Sequence, residues 1–400
     1  MIWAAIGPND HRCIAGSPSP FPAQENKYTG RFRFDRTPVT HPTMVLKKKS
    51  ALTDTLLRQW QSGGPLSNML LPLSWVTRLA VAIRTGLYRH GLKKPNRLPV
   101  PVIVVGNIFV GGTGKTPFVL SLIAALRQRG WHPGVVSRGY GINVGAEPRH
   151  GYGAQVDAAY LGDEPSMLAR AAPVAIHPDR ARAARCLLQQ YPDTTVIIAD
   201  DGLQHLALGR DIEIAVQDSR GIGNGRLLPA GPLREPATRL ASVDYLVINI
   251  PADEPVAKQP DKTDRNGQRK PRQVTMQLHP TGMVHLRSGQ SMPPAQWTTT
   301  HQGQRIAAIA GIGHPPRFFR TLAHAGIVVH QTIAFPDHHA YSEAEIEAID
   351  ADVVLMTAKD AAKCEAMQDE RLWSMEVTPR FSDAVFFDRI TEQLKSLPVY

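Results

Sequence analysis

The residue types and spacings that most clearly imply chemistry lie between Val105 and Pro117, in the run VGNIFVGGTGKTP. Gly111, Gly112 and Gly114 free the backbone to turn its amides toward an anion, and Lys115-Thr116 follow at once. A short β-branched run, Val102–Val105, precedes them, and Pro117 to Arg129 has helical periodicity ending at Gly130. Strand, glycine loop, Lys-Thr and helix in that order predict a P-loop. In such a loop the amides and the helix N-terminus meet phosphate oxygens. Phe109, Val110, Gly111, Gly112, Thr113 and Gly114 would line the nucleotide, Lys115 would reach its β- and γ-phosphates, and Thr116 would ligate Mg²⁺. The first glycine of the usual pattern should stand at position 109, which is Phe109, so the bare pattern fails there.

A P-loop needs a second half, a hydrophobic strand ending in an acid that holds magnesium. Thr195–Ala199 followed by Asp200-Asp201 supplies it. Adjacent carboxylates repel unless a cation or donor compensates, so both aspartates are metal candidates. The P-loop alone leaves kinase, GTPase, ATPase motor and ligase-like enzymes open. A nucleotide-switched membrane protein and a simple hydrolysing ATPase remain competing readings at this level.

Further blocks narrow the choice: SRGYG from Ser137, LGDEP from Leu161, DDGLQH from Asp200 and GRLLPAGPLREP from Gly225. AGIGHPPRFF from Ala310, FPDHHAY from Phe335 and MTAKDAAKC from Met356 follow. In this order, from about Leu66 onward, the chain resembles the tetraacyldisaccharide 4'-kinase (lipid A 4'-kinase) family of Gram-negative bacteria. The resemblance implies transfer of the ATP γ-phosphate to the 4'-hydroxyl of a tetraacyldisaccharide 1-phosphate, forming lipid IVA. It implies ATP and Mg²⁺ as cofactors and a lipid A disaccharide precursor as partner. Asp163 of GDEP is the expected catalytic base and His338 its partner, with His339 a rival, while Lys115 neutralises the phosphates. Ser137 would lie close to the phosphates and metal, and Gln204 would orient nucleotide or metal waters. Arg234 and Glu235 are candidate sugar contacts, and Arg180 a candidate contact to a substrate phosphate. Lys359-Asp360 offers only a weak hint of base recognition, and Arg317 is expected to bridge two domains. In the family, smaller residues occupy the position of Phe109.

Positioning these residues requires an α/β fold. The expected form is a P-loop NTPase domain with a mainly parallel sheet at 98–240 and a smaller α/β domain at 241–400. Strands are expected at Ile306–Ala310, Ile327–Ile333 and Val353–Met356, and a polar insertion near 253–272. The net charge of +10 sits mostly in residues 44–97, which carry +9, whereas 98–400 carry −1. Within that basic stretch Leu73, Val76, Leu79, Ala80, Ile83 and Leu87 share one helical face, with Arg78 and Arg89 opposite and Trp75 and Tyr88 as possible anchors. A helix docked on its own protein would show the same pattern, but the resemblance favours an anionic inner-membrane surface. Nucleic acid is excluded as a partner because the apolar stripe would have no role there. Residues 1–43 lack periodicity and read as a disordered or non-native extension, with Met44 a candidate start. No apolar run spans a bilayer and no basic n-region opens the chain. The three cysteines (Cys13, Cys186, Cys364) are too dispersed for disulfides or zinc. The expected protein is thus a monomer, peripheral on the cytoplasmic face of the inner membrane.

Overall fold

The computed structural model describes residues 43–46, 51–252, 254 and 271–398. The expectations for residues 1–42 and for most of the polar insertion fall outside these.

Short β-branched or apolar runs form strands because each is covered on both faces, as a parallel sheet requires. The first are β1 (Thr43–Leu46), β2 (Val102–Gly106), β3 (Pro133–Ser137), β4 (Arg149–Gly151), β5 (Val174–Ile176), β6 (Val196–Asp200) and β7 (Ile212–Asp218). Then come β8 (Tyr245–Ile250), β9 (Arg272–His285), β10 (Ser291–Met292), β11 (Ile306–Ala310), β12 (Gln331–Ala334), β13 (Val353–Thr357) and β14 (Leu372–Phe381). They form one sheet in the order β1-β12-β11-β13-β14-β9-β8-β7-β2-β6-β3-β5-β4, with β10 paired to β9. Apart from β4–β5, β9–β14 and β9–β10, every pairing is parallel.

The N-terminal helices are α1 (Ala51–Ser62), α2 (Pro65–Met69) and α3 (Leu71–Arg89). Against the sheet lie α4 (Lys115–Gln128), α5 (Ala158–Leu161), α6 (Asp163–Ala169) and α7 (Arg180–Gln190). The remainder are α8 (Pro294–Thr300), α9 (Pro315–His324), α10 (Glu343–Glu347), α11 (Ala358–Ala361) and α12 (Phe386–Lys395).

Two lobes result, each with apolar clusters on both sheet faces. The first lobe packs Phe118, Leu122 and Leu126 of α4 with β2, β6 and β7, and its other face is closed by Ala181, Ala184 and Leu187 of α7. The second packs Trp297, Phe318 and Leu322 against β11 and β13, with Ile346 and Ile349 behind. The sheet does not break at the expected boundary near 240. β8 pairs with β7, and β9 pairs with β8 through Arg272–Gln277 before continuing beside β14 as far as His285. The last helix returns to the first lobe, where Phe386, Ile390 and Leu394 of α12 join the α4 cluster. Long β9 and β14 therefore carry the chain between lobes.

One strand starts later than its apolar pattern suggests. Ile327–Ile333 was expected to be extended, yet pairing begins at Gln331. Gly326 (φ +76°) closes α9, and Ile327 N–H and Gly326 N–H donate to Leu322 O and Ala323 O at 3.0 Å each, which spends Ile327 on the helix cap.

α3 lies where the amphipathic pattern predicts, but its apolar stripe does not face the protein. Leu73, Trp75, Val76, Leu79 and Ile83 are each more than half exposed. The helix is held by a narrow polar seam instead. Ser74 Oγ donates to Leu227 O (2.6 Å) and accepts from Ala230 N–H (3.0 Å). Trp60 Nε1 of α1 donates to Pro229 O (2.9 Å).

Phe386→Ala should destabilise the protein by about 3–5 kcal/mol, the usual cost of emptying a buried aromatic site. Urea unfolding measures this, and a cost under about 1 kcal/mol would mean that α12 is not part of the first-lobe core.

Candidate active site

The P-loop joins β2 to α4. Gly111 (φ +100°) and Gly114 (φ +88°) adopt the left-handed conformation that glycine tolerates. A Cβ on Gly114 would lie 2.1 Å from Asn249 Nδ2, so the site also excludes any side chain. Asn107 Nδ2 donates to Gly111 O and Thr113 Oγ1 at 3.2 Å each. From β8, Asn249 Nδ2 donates to Thr113 O (2.9 Å), and Arg317 of α9 donates to Asn249 Oδ1. The loop is thus held from both lobes, and Arg317 makes the bridge expected of it. The second-lobe turn also touches the loop, since a Cβ on Gly313 would lie 2.6 Å from Gly112 N.

Two residues expected to line the nucleotide are turned elsewhere. Phe109 is buried with Ile108, Leu227 and Leu233, beneath the Gly225–Pro236 loop. That packing explains how a large side chain replaces the first glycine: it leaves the cradle. Val110 N–H is spent on Pro232 O (2.9 Å). Arg220 lies 4.5 Å from the Phe109 ring centroid, donates to Gly112 O (2.7 Å) and pairs with Asp218 (2.7 Å). Sequence reasoning missed Arg220 and Asn249 because no motif contains them.

Asp200 ends β6 and is buried, and its Oδ1 has no hydrogen-bond partner. Asp201 follows at φ +49°, with Lys115 Nζ 3.3 Å from Oδ1 and Arg234 Nη1 2.8 Å from Oδ2. Arg180, expected at a substrate phosphate, is buried and donates from Nη2 to Asp201 O (2.8 Å), so it supports the aspartates' backbone. Arg234 and Glu235, expected at the sugar, are likewise engaged internally. Arg234 holds Asp201, while Glu235 is buried with Arg239 Nε 3.5 Å from its Oε2. Gln204 Nε2 donates to Asn107 O (3.0 Å), and Gln204 O accepts from Arg84 of α3. Ser137 is buried at the end of β3, where its carbonyl accepts from His177 N–H (3.1 Å). Thr116 occupies the first turn of α4 beside Lys115.

Across the lobes, α6 opens with Asp163, whose Oδ2 lies 3.3 Å from Nδ1 of His338. Lys363 Nζ is 3.8 Å from the same oxygen. His338 has φ +60°, unusual for a non-glycine residue. The rival His339 is occupied by Glu345 (3.0 Å) and stacks on Phe335 at 4.6 Å. Lys359 Nζ reaches Glu164 Oε1 (2.9 Å) and Asp337 Oδ1 (3.3 Å). Its neighbour Asp360 is fully buried and accepts from Gly311 N–H (3.1 Å) and Thr357 Oγ1 (2.7 Å), an internal brace and not a base-reading carboxylate. Glu164, Lys359 and Lys363 lie in the GDEP and TAKDAAK blocks, where a role for each was legible only as part of a block.

A strand-end carboxylate pair, a P-loop lysine and a carboxylate–imidazole pair in one cleft suit phosphoryl transfer to an alcohol. Residues 66–395 match the family model described as "Tetraacyldisaccharide-1-P 4'-kinase". The chain belongs to this family. It is 51% identical over 343 residues to the tetraacyldisaccharide 4'-kinase of Bordetella parapertussis, covering 85% of this chain and 96% of that one. The Chromobacterium violaceum enzyme of the same name is 46% identical over 321 residues, covering 78% and 90%. Among solved structures, the "apo" form of LpxK from Aquifex aeolicus in complex with ATP superposes with a TM-score of 0.68 at 27% identity, over 83% of this chain and 99% of that one.

For a member of this family the charge balance at β6 is informative. Burial, with repulsion from Glu164, pushes Asp200 from 3.8 up to about 7, and Lys115 only partly offsets this. Burial would raise Asp201 too, but Lys115 and Arg234 hold it down to about 2. Hydrogen bonding from His338 lowers Asp163 against the opposing effect of burial, and Lys363 adds to the lowering. Asp200 is therefore the buried acceptor still short of a cation. A divalent ion bound by one or two carboxylates, a threonine hydroxyl and phosphates fits this set. Among the described residues no group of three or more His, Cys, Asp or Glu is placed to hold a metal by itself.

Without divalent metal, folded Asp200 binds more protons than unfolded Asp200 between 3.8 and about 7, so its contribution to stability falls as pH rises through that window. Asp200→Asn should raise Tm in EDTA at about pH 8, with the gain shrinking toward about pH 5. A Tm gain independent of pH, or a loss at the higher pH, would show the carboxylate is compensated.

Proposed function

We propose that this chain transfers the γ-phosphoryl group of Mg-ATP to the 4'-hydroxyl of a tetraacyldisaccharide 1-phosphate, the step that forms lipid IVA. What carries this reading is the Asp163–His338 pair, contributed by different lobes and 3.3 Å apart, beside a P-loop. As the 4'-oxygen bonds to the γ-phosphorus, the bond to the β–γ bridging oxygen breaks and ADP leaves. Asp163 takes the hydroxyl proton, and its lowered pKa keeps it ionised to do so. Lys115 and the loop amides meet the charge on the phosphates. Mg²⁺, held by Asp200 and Thr116, would supply charge neutralisation at the β- and γ-oxygens. Asp201, already paired with Lys115 and Arg234, orients those cations.

The same reading places the protein, as a monomer, on the cytoplasmic face of an anionic inner membrane. Both halves of the site come from one chain, and no helix among the described residues is long and apolar enough to cross a membrane. The exposed stripe of α3 and the flanking Arg89, Lys93 and Lys94 suit an interfacial helix. Acyl chains could then stay in the bilayer while the sugar enters the cleft.

Mass spectrometry of the lipid in detergent with Mg-ATP should show gain of one phosphoryl group, and Asp163→Ala should slow it by about 10²–10⁴-fold. Steady ATP hydrolysis without lipid and no phosphorylated product would sink the kinase reading. Val76→Glu with Leu79→Glu should weaken sedimentation with anionic vesicles at least about tenfold. Unchanged vesicle binding would remove α3 from the interface.

A further inference from the structure

Lys359 of α11 and Lys363, in the turn that follows the helix, face the Asp163–His338 pair from the second lobe. Lys359 Nζ lies 3.4 Å from His338 Nε2. An ammonium has three N–H donors and no acceptor, so Nε2 can only meet it with its lone pair. The imidazole proton must then sit on Nδ1, the nitrogen 3.3 Å from Asp163 Oδ2. The alternative tautomer, with Nε2–H aimed at Asp337, has its nearest oxygen at 3.9 Å, beyond a hydrogen bond, and would set N–H against ammonium. Lys359 is itself fixed by Glu164 (2.9 Å) and Asp337 (3.3 Å) and is poorly exposed. The groups facing His338 are thus Asp163 from α6, Asp337 from its own loop, Lys359 from α11 and the Tyr140 ring at 5.5 Å.

We propose that Lys359 is a positioning residue for phosphoryl transfer, locking His338 in its Nδ1–H tautomer so that this proton is committed to Asp163. The inference rests on Asp163 being the base. Nδ1–H and Lys363 both address Oδ2, so Oδ1 receives the hydroxyl proton and His338 keeps its own. With the tautomer reversed, Nδ1 would present a lone pair to a carboxylate, and the pair would separate.

The test uses the full chain labelled with ¹⁵N-histidine, the His338 ring signals being assigned by their loss in His338→Gln. Long-range ¹H–¹⁵N spectra of the wild type should show the Nδ1–H form, and Nε2–H in the wild type would overturn the proposal even if no variant folds. Lys359→Met should populate Nε2–H and lower kcat roughly 10- to 100-fold, as loss of a proton-orienting neighbour does, with KM for ATP and lipid within about threefold. Lys359→Arg, which keeps a donor, should restore most of kcat. Glu365→Gln breaks the inter-lobe Arg170–Glu365 ion pair without touching the histidine, and should leave tautomer and kcat unchanged. Loss of kcat in Lys359→Met with the Nδ1–H form intact would mean the lysine merely joins the lobes. Asp163→Asn separates the two claims: full activity there defeats the base reading itself. An inactive Asp163→Asn beside a Lys359→Met of unchanged tautomer and kcat defeats this inference alone.

Discussion

The structure depends on two adjacent carboxylates at the end of β6, Asp200 buried and Asp201, just beyond it, partly exposed. Carboxylates so placed need cations or donors, because burial without compensation costs several kcal/mol per charge. Each surrounding segment supplies part of that compensation. Lys115 comes from the P-loop helix, Arg234 from the Gly225–Pro236 loop, and Arg180 braces the backbone from α7. Compensation is nevertheless uneven. Asp201 receives both ion pairs, while Asp200 is buried and repelled by the charge of Glu164.

Glu164 leads outward from this centre. It pairs with Lys359, which reaches His338, which meets Asp163 one residue before Glu164 on the same helix. Asp163 and Glu164 at the start of α6 are therefore tied to the second lobe by a closed ring of polar contacts through Lys359 and His338. Backbone contacts reinforce the crossing, through Gly313 against Gly112 and through Arg317, Asn249 and Thr113. Long β9 and β14 run between the lobes beside those contacts, paired to each other with a register shift at Glu376/Val377.

At the periphery, the same Gly225–Pro236 loop that carries Arg234 also receives α1, α2 and α3. Ser67, Ser74 and Trp60 bond its carbonyls and amides, while Phe109 fills the space beneath. The helix α3 is thus bonded to the loop whose Arg234 pairs with Asp201. Arg84 adds a direct bond from α3 to the carbonyl of Gln204. Polar seams of this kind leave the apolar stripe of α3 exposed.

The sequence by itself determined the P-loop backbone, because it is local: strand, glycines, Lys115-Thr116 and helix are contiguous, and φ above zero at Gly111 and Gly114 demands glycine. It also determined the amphipathic face of α3, which needs only helical periodicity, and the parallel-sheet class, which needs only buried apolar runs. Family blocks named Asp163 and His338, but nothing local distinguishes His338 from His339. Their separation came from tertiary packing, which stacks His339 on Phe335 and turns His338 toward α6. Packing likewise decided the orientation of Arg180 and Arg234, which meet Asp201 from distant segments, whereas Glu235 pairs locally with Arg239 four residues on. The fate of Phe109 was equally non-local, for its pocket is built by Leu227 and Leu233, more than a hundred residues away. Periodicity and motif spacing record what a segment's own backbone requires; which side chain meets which charge is fixed only when distant segments share one low-dielectric interior.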